Sequence, residues 1–149
     1  MLVDGKENWK ADGDQMKRKT LSRKIRQAVY EKYGGHCAYC GCALDYKDMQ
    51  VAHVDSYSLN DPNSRGGHKY KKSVEQLNQL DNLMPSCRMC NFYKGTGSIE
   101  DFRQKLQETL LPNACRPFQF RLAEKYGLVE RHEGRRIFFY FEQDACDQK

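Results

Sequence analysis

No stretch of this chain approaches the ~18 consecutive apolar residues that a membrane-spanning helix needs, which excludes such a helix. The N-terminal "MLVDGKENWKADGDQMKRK" also lacks the apolar centre of a secretory signal, so an intracellular, cytoplasmic protein without a membrane partner is expected. No internal repeat or low-complexity tract is visible, and 149 residues fit one compact domain. The cysteine count of seven is odd, and a reducing cytosol disfavours a disulfide framework, so metal binding is the first expectation for these thiols. Hydrophobic residues make up 39% and charged residues 30%, enough for a modest packed core.

The net charge is +5, and much of the positive charge is clustered at Lys17, Arg18 and Lys19, at Arg23, Lys24 and Arg26, and at Lys69, Lys71 and Lys72. Clustered cations suit a polyanion, because each neutralised phosphate releases counterions. Any one cluster reads equally as a solvated surface.

Residues 1–19 mix Gly, Asp and Lys without a period and are expected to form a flexible basic arm, followed by one domain over residues 20–145. "TLSRKIRQAVYEKYG" places Leu21, Ile25, Ala28 and Val29 at helical spacing, with a hydroxyl residue to cap the start and Gly34 and Gly35 to stop it. In "HCAYCGCALDYKDMQVAHVD" a Cys-rich turn precedes an expected hairpin whose second arm ends at His53. Residues 56–81, with Pro62, Gly66 and Gly67, read mainly as an extended loop. "NLMPSCRMCNFYKGTG" predicts a short strand, a turn and a short helix. A Ser-capped helix in "SIEDFRQKLQETLL", a helix over 117–127 and an aromatic closing strand in "RRIFFYFE" complete the chain.

Cys37-x-x-Cys40 and Cys87-x-x-Cys90 carry the strongest local signal. Two thiolates so spaced chelate one ion from a single turn, and two such turns complete a closed, structural tetrahedral zinc site. Such an ion would staple the segment around the first pair to the later helix, a geometry that a small core fixes poorly by itself. A redox pair or buried free thiols are the plainer alternatives, but a lone redox motif leaves the second pair unexplained. Cys42, Cys115 and Cys146 have no such spacing and read as ordinary thiols, with Cys42 a minor alternative ligand.

A staple of this kind brings His53, Asn82 and Asn91 together, because each lies beside or between the ligand pairs. "CAYCG", "MQVAH", "DNLMPSCRMCN" and "YKG", in that order, resemble the HNH endonuclease family, and "FRQKL" and "FYFE" extend the resemblance over about residues 20 to 141. The resemblance implies an α+β fold: a ββα-metal, treble-clef-like core stapled by a four-cysteine zinc, with flanking helices and a C-terminal strand. It implies a phosphodiester hydrolase acting on DNA, double-stranded by preference, with a catalytic magnesium or manganese ion besides the structural zinc. His53 would be the general base, its unperturbed pKa being about 6.5. Asn91 would be a hard oxygen ligand of the catalytic cation, and Asn82 would hold the loop and fix the imidazole. Arg23, Lys24, Arg88 and Lys94 would contact DNA phosphates. A phage, mobile-element, restriction or defence setting fits the resemblance.

The sequence departs from that family at Ala52, where the family carries an acidic metal ligand immediately before the His. Alanine offers no side-chain oxygen, so the cation loses a charged ligand. Asp55 is the candidate substitute, because period-two geometry puts it on the strand face of His53, with a local twist or bulge needed to reach the ion. The alternative function is a non-catalytic, zinc-stabilised nucleic-acid- or protein-binding module. His68 reads as part of a basic loop, His36 as superfluous to four thiolates, and His132 as an exposed turn residue.

Overall fold

In the computed structural model, residues 18–61, 63–64 and 72–143 are described. The expectations for residues 1–17, for Pro62, Gly66, Gly67, His68, Lys69 and Lys71, and for Cys146 lie outside the described residues.

The first helix, α1 (Arg23–Glu31), starts where the Ser22 hydroxyl accepts the Ile25 N–H at 3.2 Å. It buries Val29 and packs Ile25 on the core, with Leu21, just before the N-cap, packed there as well. Gly35 ends the turn that follows at φ +75°, where a Cβ would sit 2.9 Å from the Tyr30 hydroxyl.

The sheet has two short antiparallel strands, β1 (Gln50–His53) and β2 (Leu83–Ser86), in the register Gln50 to Ser86, Val51 to Pro85, Ala52 to Met84 and His53 to Leu83. The expected local hairpin is therefore replaced by a long-range pairing. The Cys-rich turn closes with only an isolated bridge between His36 and Ala43, and the turn at Asp45–Met49 then carries the chain away before a ladder forms. The other edge of β2 serves that Cys-rich turn, whose Ala38 N–H reaches the Pro85 carbonyl at 2.8 Å.

Between the strands, the stretch expected as loop contains the one-turn helices α2 (Tyr57–Asn60) and α3 (Val74–Leu77) and a 3-10 turn at Leu80–Asn82. The helix α4 (Arg88–Lys94) follows β2 and lies against β1, while α1 lies against β2. A long helical run comes next: α5 (Ile99–Gln104) opens with a Ser98–Asp101 capping box, a π-helical stretch covers Lys105–Leu110, and α6 (Leu111–Ala114) closes it. α7 (Phe118–Lys125) precedes Gly127, and α8 (Tyr140–Gln143) is the last described element.

The expected C-terminal strand is not formed. Residues 135–139 join no ladder, and the backbone attachment that follows is two bonds, from the Tyr140 N–H to the Tyr39 carbonyl and from the Phe141 N–H to the Ala38 carbonyl, at 2.9 Å each. The aromatic side chains carry the attachment instead: Phe139 stacks on Phe102 at 5.2 Å, and Tyr39 meets both rings edge-on. Arg103 secures the tail by bonding the Ile137 carbonyl and the Glu142 carboxylate while lying over the Phe139 ring. The chain is thus a small α+β unit, mostly helical, with a four-cysteine cluster at the junction of the Cys-rich turn and α4. No described helix is long and apolar enough to cross a membrane.

Candidate metal centre and adjoining cleft

Backbone bonds shape the first knuckle, with the Cys37 N–H on the Cys42 carbonyl at 2.8 Å and the Gly41 N–H on the Cys37 carbonyl at 2.9 Å. Cys87 caps α4 and Cys90 lies in its first turn. The sulfurs of Cys37, Cys40, Cys87 and Cys90 all lie within 4.8 Å of one another, and those of Cys40 and Cys87 are 3.9 Å apart. Tetrahedral zinc with Zn–S bonds of about 2.3 Å sets sulfurs about 3.8 Å apart, so the four thiols fit one zinc ion. The Cys37 thiol is pushed down to about 4, chiefly because its thiolate accepts a hydrogen bond from Cys90, whose own thiol is pushed up. Anionic sulfur held by its partners is the donor chemistry zinc requires. Cys42 and Cys115 lie outside the cluster, and His36 stacks on Tyr140 with Nδ1 near the Gly34 carbonyl.

α4, which carries the second cysteine pair, lies against β1, and a second feature sits at that contact. Lys94, only 1% exposed, donates to the carbonyls of His53 and Gly97, both at 2.9 Å. Burial pushes its amine down to about 8. Lys94 therefore anchors the strand end, and its expected phosphate contact is ruled out: in the last turn of α4 its side chain runs inward beneath His53.

Asn82 bonds to the turn after β1 and to the end of α3. Its Oδ1 accepts the Asp55 N–H at 2.8 Å, and its Nδ2 donates to the carbonyls of Asp55 at 3.1 Å and Leu77 at 2.8 Å. These bonds spend the amide, so orienting the imidazole falls to Asn78. The Oδ1 of Asn78 lies 3.1 Å from His53 Nε2 and accepts the Tyr57 hydroxyl at 3.0 Å. An oxygen facing Nε2 assigns the proton to that nitrogen and leaves Nδ1 as the basic one. Burial first, and the Arg18 and Lys94 cations after it, hold the imidazole below its ordinary value against the opposing bond to Asn78. The imidazole is thereby biased toward its uncharged form.

His53 and Asn91 line one cleft of about 380 Å³, together with Arg18, Tyr57, Phe92 and Thr96. Asn82 and Asp55 line a different one, beside Gln76 and Lys72, and the Asp55 carboxylate is ion-paired with Lys72. The shared strand face predicted for His53 and Asp55 is lost because β1 ends at His53 and the Asn82 bonds turn the chain there. Ala52 is 3% exposed and packs in the core opposite Met84. No carboxylate therefore lines the His53 cleft among the described residues, and Arg18 adds a positive charge to it. A hard divalent cation needs anionic oxygen, so these residues do not fit a catalytic magnesium or manganese ion.

Arg23, Lys24 and Arg88 are exposed. Arg26, from the same basic cluster as Arg23, is spent on the Met49 carbonyl at 2.5 Å and on the Tyr46 ring. Asn78, Tyr57, Arg18 and Phe92 were not expected at the site. A signal for Asn78 exists: Ser73 and Gln76 form an S-x-x-Q capping box, which starts α3 and sets Asn78 at its C-terminal end.

No protein-family model matches the chain, and no curated protein matches it in sequence. Among solved structures it is similar to the Type II-C Cas9 enzyme from Actinomyces naeslundii, with 26% identity and a TM-score of 0.43 over 62% of this chain. The matched region spans 8% of that enzyme.

Proposed function

We propose that this chain is a zinc-stapled, HNH-like endonuclease that hydrolyses phosphodiester bonds of DNA, with His53 as the general base. The observation that carries this reading is the imidazole itself: Asn78 holds Nε2–H, so the lone pair on Nδ1 belongs to a neutral, half-buried base on a cleft shared with Asn91. In the reaction Nδ1 takes a proton from the water whose oxygen bonds to phosphorus, the P–O ester bond opposite it breaks, and the leaving alkoxide takes a proton from solvent, while the imidazolium so formed keeps its Nε2–H bond to Asn78. Lys94 holds the strand that carries the base, and Asn82 holds the turn behind it. Asn91 donates its amide to the phosphate, while exposed Arg23, Lys24 and Arg88 contact the backbone away from the bond that breaks.

A second reading, a non-catalytic zinc-stabilised nucleic-acid-binding module, is favoured by one observation, the cleft without a carboxylate. Nicking of supercoiled plasmid by zinc-loaded protein separates the two. The nuclease reading expects nicking that His53→Ala lowers by roughly a hundredfold or more. Plasmid retained in a gel shift but never nicked, under any divalent ion or none, supports the binding module.

A further inference from the structure

The His53 cleft combines features that a metal-centred site would not need. Its cation lies against one aromatic ring, the Arg18 guanidinium being 5.7 Å from the centroid of the Tyr57 ring, and the next residue, Lys19, pairs with Glu75 of α3 at 2.6 Å. Tyr57 in turn meets the His53 ring edge-on at 5.2 Å. Arg18 makes no ion pair among the described residues, and the nearby Asp55 carboxylate is committed to Lys72. The Asn91 side chain likewise makes no hydrogen bond among the described residues, although it lines the cleft beside this cation. Next along α4, Phe92 is 85% exposed and lines the same cleft.

A guanidinium and an amide with open donors suit a phosphate, and one neutral amide oxygen beside a cation is a poor seat for a divalent ion. An aromatic ring left in water beside them suits a planar apolar partner, and every nucleobase has such a face once it is unstacked from its neighbours. We infer that this cleft seats one nucleotide of an unpaired nucleic-acid strand without a divalent cation, its phosphate on Arg18 and Asn91 and its base stacked on Phe92. The inference rests on the nucleic-acid side of the proposed function and is independent of hydrolysis. Seating a nucleotide in this way puts the phosphate beside His53 by direct contact, which supplies the positive charge that Ala52 leaves unprovided by a metal.

The test uses zinc-loaded protein in magnesium-free buffer with two probes, inorganic phosphate and single-stranded oligodeoxythymidine, each titrated by calorimetry with and without magnesium. Both probes are expected to bind without magnesium. Arg18→Gln should weaken both by roughly tenfold or more, with Arg18→Lys between it and the parent. Phe92→Ala should weaken the oligonucleotide by roughly five- to a hundredfold and leave phosphate binding unchanged. Both side chains are on the surface, so neither change tests folding. Binding that requires magnesium, equal affinity in Arg18→Gln, or no loss of oligonucleotide in Phe92→Ala overturns the inference. Magnesium-dependent nicking with no magnesium-free binding would sink this inference and leave the nuclease reading intact, whereas metal-free binding with no nicking would do the reverse.

Discussion

Replacing Lys94 by methionine removes a charge that the fold buries beneath His53 while keeping a side chain of similar length. The amine has an ordinary pKa of 10.5 and is pushed down to about 8 by burial. Between those values the unfolded chain holds the proton and the folded chain releases it, so stability rises with pH across that window. Keeping Lys94 protonated in the fold costs about 3 kcal/mol below pH 8, and about 2 kcal/mol of this is relieved between pH 7 and pH 9.5. Methionine has no such titration, but it strips two carbonyls, those of His53 and Gly97, of their donor, at about 1–3 kcal/mol each. At pH 7 the gain and the loss largely offset. At pH 9.5 the parent should be the more stable of the two by about 2 kcal/mol beyond the pH 7 difference. Urea unfolding of both zinc-loaded proteins at the two pH values, with matched m-values, reads this directly. A stability gap that is the same at both pH values refutes the buried-amine argument.

Ala52→Asp should cost about 3 kcal/mol or more in urea unfolding, because it puts an unpaired carboxylate at a position 3% exposed. Unchanged stability with newly acquired magnesium-dependent nicking would show that residue 52 faces the cleft. Asn78→Ala should lower cleavage by more than about tenfold and let the His53 tautomer equilibrate, visible in imidazole nitrogen shifts. Asn78→Asp, which puts a carboxylate beside Nε2, should raise the His53 pKa instead, and an unmoved titration would contradict the assigned bond. Cys90→Ser should abolish stoichiometric zinc and, with it, cooperative thermal unfolding, and a variant that melts like the parent without zinc would deny the ion its structural role.

The features legible in the sequence were those fixed by local spacing. Ser22, Ile25 and Val29 mark α1, Ser98 marks α5, and the two Cys-x-x-Cys pairs converge as their spacing implied. What escaped depended on partners distant in the chain. The strand 50–53 has the alternation of a hairpin arm, but its partner is 83–86, and nothing in either segment names the other. The aromatics of 138–141 have strand composition, yet packing of Phe139 and Phe141 on Tyr39, and of Phe139 on Phe102, rather than a ladder places the segment. Asp55 was assigned to the face of His53 by a period that stops where the strand does. Asn78 and Asn82 are the same residue type four positions apart, and only the path of the 3-10 turn at Leu80–Asn82 decides which reaches the imidazole. Lys94 looked like a surface cation because its two carbonyl partners are set by the contact of α4 with β1.

The measurement that bears most directly on His53 as the base is the pH dependence of single-turnover nicking by the zinc-loaded protein between about pH 5 and 8. Because burial lowers the imidazole pKa from 6.5, the rate should climb through an apparent pKa below that value and be flat at neutral pH. His53→Ala should abolish both the climb and the bulk of the rate. A pH profile and rate that survive His53→Ala unchanged would contradict the account.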